Sequence, residues 1–103
     1  MQYEKKFIEV KNKSMAYIDV GEGEVFLFLH GNPTSSFLWR NIAPHVEDLG
    51  RIVIPDLIGM GDSEKLDGVD NEDYKYHGQY GYLTSLIDKL DLGNNIHLII
   101  HDW

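Results

Sequence analysis

The residues best placed to do chemistry stand at the end of the chain, where His101-Asp102-Trp103 follows the apolar run Ile96–Ile100. Such a run reads as a strand buried on both faces of a parallel sheet, and ligands of open α/β sheets bind at the C-terminal edge of the strands. A carboxylate delivered to that edge can attack a saturated carbon in an SN2 step and form a covalent ester. Water then attacks the ester carbonyl with the help of a general base. A serine would suit acyl transfer better, but the chain holds no Gly-x-Ser-x-Gly; Ser63 has Gly61 two positions before it and Lys65 two after it. The plainer reading of Asp102 is a cap for a following helix, a role Asp favours.

A second signal is His30-Gly31-Asn32-Pro33, directly after the apolar run Val25–Leu29. By itself it reads as an ordinary strand-to-helix turn, because Gly, Asn and Pro are common turn residues. Taken together, the two motifs open on the same sheet edge. Asn32 carries an amide N–H donor and Trp103 an indole N–H donor. Two neutral donors beside a carboxylate nucleophile can hold a departing halide. A cation would bind halide more strongly, but it would also pair with Asp102 and blunt its attack.

The remaining polar residues read as structural. His30 and His101 stand at strand ends, where a ring can bond to nearby backbone, and His45, His77 and His97 show no metal-ligand spacing. Asp56 follows a strand and is placed to tie down the loop at Gly59-Met60-Gly61. That loop lacks the third glycine and the Lys-Ser/Thr of a phosphate loop. The acidic stretch 62–73 reads as a solvated surface without a calcium-loop signature. No metal site and no cofactor is expected.

The elements that must position these residues follow from the pattern. Lys6–Val10 and residues 14–20 read as two strands joined by a turn around 11–13. Val25–Leu29, Arg51–Pro55 and Ile96–Ile100 read as buried strands. Between the first two, a helix is expected over 37–49 with Ser36 as its cap, with Leu38, Ile42 and Val46 on one face and Gly50 at its end. Pro44 must bend that helix or start it anew. After a long loop over 56–70, a second helix is expected over 74–92, with Leu83, Leu86, Ile87 and Leu90 at i, i+3, i+4 and i+7. Buried strands alternating with helices imply a mostly parallel sheet.

The totals agree. The 103 residues allow one domain at most, and 12% aromatics supply enough bulk for a core, which argues against disorder. The formal net charge of −8 speaks against nucleic acid, whose phosphates need a basic surface. With no cysteine, disulfides and thiolate chemistry are excluded within the chain. The N-terminus is too charged for a signal peptide, and no run approaches the roughly 18 apolar residues of a membrane span, so a cytoplasmic protein is expected. Because a sheet of this type needs helices on both faces, a chain ending just after a strand reads as one segment of a longer protein.

Three stretches resemble one family. His30-Gly31-Asn32-Pro33-Thr34-Ser35-Ser36-Phe37-Leu38-Trp39-Arg40 is similar to the haloalkane dehalogenase segment after the third strand. Pro55-Asp56-Leu57-Ile58-Gly59-Met60-Gly61-Asp62-Ser63 resembles that family's next strand and loop, and His101-Asp102-Trp103 its nucleophile elbow. The similarity runs from about Phe7 to the final residue. It is close to the subfamily of lindane-degrading dehalogenases and Renilla-type luciferase. The resemblance implies an α/β-hydrolase fold, with residues 1–103 forming the N-terminal part of its core up to the nucleophile elbow, and the cap and C-terminal core absent.

It implies further that Asp102 is the nucleophile and that the side chains of Asn32 and Trp103 bind halide. Their backbone N–H groups would form the oxyanion hole. The family's catalytic His and its acidic partner fall beyond residue 103. The implied partners are a halogenated small molecule, a halide ion and the remainder of the hydrolase, with no nucleic acid and no membrane. Epoxide hydrolases share His-Gly-x-Pro and an Asp-Trp elbow but usually carry an apolar residue where Asn32 stands. Renilla-type luciferase has small residues where Pro33 and Thr34 stand. A non-catalytic fragment is the remaining alternative.

Overall fold

The computed structural model describes residues 3–30, 35–39, 41–65, 76–93 and 95–100. Among these residues five strands form one sheet: β1 (Lys6–Val10), β2 (Lys13–Val20), β3 (Val25–Leu29), β4 (Arg51–Pro55) and β5 (Ile96–Ile100), in the order β1-β2-β4-β3-β5. The β1–β2 and β2–β4 pairs are antiparallel, and β4–β3 and β3–β5 are parallel. The hairpin between β1 and β2 turns on Lys11 (φ 49°) and Asn12 (φ 66°). Positive φ at both central residues is what a two-residue hairpin turn with strand-matched twist requires. Residue 13 thereby joins β2, one position earlier than expected. A fork-shaped ion pair, Arg51 to Asp19 at 2.6 and 2.8 Å, ties β4 to β2 beside their ladder.

The expected helix over 37–49 is not continuous. The chain makes a 3₁₀ turn at Ser36–Trp39, a single α-turn α1 at Ala43–Val46, and another 3₁₀ turn at Glu47–Leu49. Pro44 sits in the first turn of α1, the one place in a helix where its missing N–H breaks no bond. A helix can begin there but cannot run through, so Pro44 starts the helix anew. The interruption also removes Ile42 from the expected apolar face. Leu38 and Val46 pack on the core, whereas Ile42 is exposed. Ser36 does not cap a helix with its side chain; it opens the 3₁₀ turn, and its own N–H is held from elsewhere.

The long helix α2 runs from Tyr76 to Leu90, and Asp91 and Gly93, both at positive φ, take the chain out of it. The expected positions 74 and 75 lie outside the described residues. Leu86 is fully buried beside Val10, Met15 and Tyr17, Leu83 and Ile87 pack against the neighbouring cluster of Val25, Leu27, Leu29 and Val53, and Leu90 packs against both, so the spacing does mark the core-facing side. This helix covers one face of the sheet, against Val10, Met15, Tyr17 and Leu27. The short turns cover the other face, where Trp39 meets the Phe28 ring edge-on at 5.2 Å. No helix among the described residues is long and apolar enough to cross a membrane.

One expectation about burial fails. β3 and β4 are buried, but among the described residues β5 is an edge strand, with Leu98 56% and Ile100 62% exposed. Its apolar run belongs to a strand meant to be covered on both faces. Among the described residues, however, α2 reaches only part of the way across. A cavity of about 550 Å³ is left between α2 and β5, lined by Leu29, Leu83, Ile87, Leu98 and Ile100.

Candidate functional site

The parallel half of the sheet sends three strand ends to one edge. β3 and β5 pair in register up to Leu29 opposite Ile100, and neighbouring strands lie about 4.8 Å apart. The two strands therefore run in the same direction and end beside one another. β4 pairs with β3 on its other side, Leu27 opposite Val53, and delivers Asp56. Three of the residues singled out by sequence, Asn32, Asp102 and Trp103, lie outside the described residues, as does His101.

His30 is buried at the end of β3, and its Nε2 accepts a hydrogen bond from the Leu57 N–H at 2.9 Å. With Nε2 as acceptor, the proton of the neutral ring is on Nδ1. The structural role expected of His30 is thus the one it plays, in a specific form: it joins the end of β3 to the residue that follows Asp56.

Asp56 is the hub of this edge. Its side chain is fully buried. Oδ1 accepts the Ser36 N–H at 2.7 Å; Oδ2 accepts the Asp62 N–H at 3.1 Å and pairs with the Lys5 ammonium at 2.6 Å. Its backbone carbonyl accepts the Ser63 hydroxyl at 2.6 Å, and Ser63 Oγ in turn accepts the Ala16 N–H at 2.9 Å. Gly61 has φ +53° and lies so close to the carboxylate that a Cβ there would collide with it. Only glycine tolerates both the conformation and the approach. Asp56 therefore ties down the Gly59–Gly61 loop, as expected.

Lys5 also pairs with Asp62 at 2.8 Å, so one ammonium serves two carboxylates. That is why Asp62 is exposed yet engaged, and not merely part of a solvated acidic surface. Sequence reasoning did not find Lys5. It stands 51 positions from Asp56, and nothing in its local pattern marks it. Among the described residues, no three His, Asp or Glu side chains gather as a metal site.

Burial alone would raise the Asp56 pKa. The Lys5 ammonium and the Ser36 and Asp62 N–H groups outweigh it and hold the carboxyl below its ordinary value of 3.8. A group depressed on folding stabilises the fold above its unfolded pKa and loses that contribution as pH falls through the lower folded value. Stability is therefore expected to hold from neutrality down to about pH 4 and to decline below it as Asp56 protonates. Urea midpoints measured between pH 7 and pH 2.5 check this, and the Asp56→Asn variant should show a shallower decline over the acid range.

The family model described as the alpha/beta hydrolase fold matches residues 24–103. A haloalkane dehalogenase of Sphingobium indicum is 58% identical over 100 residues, covering 97% of this chain and 34% of the relative. One of Mycolicibacterium smegmatis is 53% identical over 98 residues, covering 95% and 32%. Among solved structures, the haloalkane dehalogenase DbeA from Bradyrhizobium elkani superposes with a TM-score of 0.89 at 40% identity, covering 99% of this chain and 34% of that one. The epoxide hydrolase VrEH1 from Vigna radiata reaches 0.86 at 36% identity, covering 99% and 31%. The chain spans about a third of the length of the curated relatives it matches.

Proposed function

The chain belongs to the alpha/beta hydrolase fold family, and on that premise we propose that it is the nucleophile-bearing N-terminal part of a hydrolytic haloalkane dehalogenase. The observation that supports the proposal is the in-register parallel pairing of β3 and β5, which ends the strands leading into the His30-Gly31-Asn32 and His101-Asp102-Trp103 motifs, at Leu29 and Ile100, opposite one another. The 58% identity to a haloalkane dehalogenase supports halide displacement among the chemistries such an edge can perform.

In this reading the Asp102 carboxylate attacks the halogen-bearing carbon, the carbon–halogen bond breaks, and the halide leaves with the bonding pair toward the Asn32 and Trp103 N–H donors. Water then attacks the carbonyl carbon of the ester and a general base takes its proton, releasing the alcohol and regenerating the carboxylate. Backbone N–H groups of residues 32 and 103 stabilise the oxyanion of that second step. The net reaction consumes water and yields alcohol, halide and a proton, with no cofactor. The general base and its acidic partner come from the remainder of the hydrolase, in a cytoplasmic protein of which 1–103 is the N-terminal portion of the core. The open apolar cavity beside β5 supports that division, because further polypeptide packing there would cover Leu98 and Ile100.

The likeness to the Vigna radiata epoxide hydrolase supports a second reading, in which the same carboxylate opens an epoxide. Asn32 weighs against it. The test is bromide release from 1,2-dibromoethane by the complete protein, with styrene oxide hydrolysis in parallel. Bromide release without diol formation is expected; diol formation without bromide release would replace the first reading with the second.

A further inference from the structure

The segment 31–34, which contains Asn32, is bracketed by two hydrogen bonds that end on consecutive residues just past another strand. On its N-terminal side, His30 Nε2 accepts the Leu57 N–H at 2.9 Å. On its C-terminal side, the Ser36 N–H donates to Asp56 Oδ1 at 2.7 Å. Asp56 and Leu57 follow β4 directly, so both ends of the segment are fastened to the same point of the framework. Both bonds are buried, and a buried bond of this kind is costly to leave half made. Trp39, packed edge-on against Phe28 one turn later, fixes the outgoing chain a second time.

The geometry points to His30 and Asp56 as positioning residues for halide recognition: they set the separation and orientation of the two ends between which Asn32 lies in the sequence. The inference rests on the dehalogenase reading of Asn32 and goes beyond it, because neither residue need touch the halide. A halide site built from neutral donors has little charge to draw the ion in, so donor placement decides its affinity. His30 suits the task better than a lysine or arginine would. Its ring nitrogen accepts the backbone N–H while staying neutral, and adds no cation to compete for the nucleophile.

The test is bromide affinity of the full-length protein, read from tryptophan emission, for four variants. His30→Leu removes the acceptor and is expected to weaken bromide binding about tenfold, while His30→Gln, whose amide oxygen reaches where Nε2 stands, should stay within about twofold of the parent. Asn32→Ala should weaken bromide on its own, and adding His30→Leu to it should have no further effect, since a residue acting through Asn32 has nothing left to position. A role in general stability alone would instead lower the melting temperature equally in both backgrounds and leave bromide affinity unmoved. If His30→Leu does not fold, His30→Asn keeps a polar group whose oxygen stops short of Leu57 and serves in the same comparison. Asn32→Ala without effect overturns the halide reading and this inference with it. A weakened Asn32→Ala beside a His30→Leu of parental affinity overturns the positioning role alone.

Discussion

Replacing Asp102 by Asn in the complete protein is expected to abolish bromide release from 1,2-dibromoethane, with a fall of at least about a thousandfold at saturating substrate. The size follows from what the carboxylate is asked to do. In a two-step displacement the nucleophile makes the bond that defines the first transition state, and an amide oxygen is a far poorer nucleophile toward saturated carbon. Asn conserves shape and removes one negative charge, so binding of an apolar substrate should survive while turnover does not. Rapid acid quenching gives an independent readout: the parental protein should carry the alkyl mass on the peptide containing Asp102, and the variant should not. Undiminished bromide release in the variant would exclude Asp102 as the nucleophile.

Much of the framework behind that prediction is readable in the sequence, and the reasons are local. Val25–Leu29 and Arg51–Pro55 are short, continuous apolar runs, which parallel strands covered on both faces require; both are buried strands. The 3.6-residue spacing of Leu83, Leu86, Ile87 and Leu90 marks α2 because one helix face must meet the sheet. Pro44 signalled a break that its missing N–H enforces. The number of helical pieces around it was not readable, because the length of a 3₁₀ turn depends on what its ends meet. Ile96–Ile100 has the composition of a covered strand, but its exposure depends on neighbours that composition does not encode.

The site divides in the same way. The motifs around residues 30 and 101 are contiguous and therefore visible, and the strands that lead into them, β3 and β5, are parallel neighbours. The connections that hold the edge together are not contiguous. Lys5 meets Asp56 across 51 positions, and His30 meets Leu57 across 27. A lysine near the N-terminus and a histidine after a strand carry no periodic signature. Only the folded strand order β2-β4-β3 brings β1's leading residues, the end of β3 and the end of β4 together.

The largest stability effect should come from that invisible part. Asp56→Ala is expected to destabilise the protein by about 3–5 kcal/mol, measured as the shift in the urea unfolding midpoint at pH 7. The argument does not rest on the ion pair being strong. A buried pair gains little over well-packed apolar residues, because taking both charges out of water offsets their attraction. The loss comes from what the substitution strands: a largely buried Lys5 ammonium, and the Ser36 and Asp62 N–H groups, all converging on a space a methyl cannot fill. Asp56→Asn keeps the volume and an oxygen for Ser36, and should cost less, about 1–3 kcal/mol. Lys5→Met removes the cation but leaves the carboxylate its two N–H donors, and should fall near the Asn variant. Combining Lys5→Met with Asp56→Asn removes both charges together, so the double variant should lose less than the sum of its parts. An Asp56→Ala protein within about 1 kcal/mol of the parent would mean that the strand edge is held by packing and not by this carboxylate.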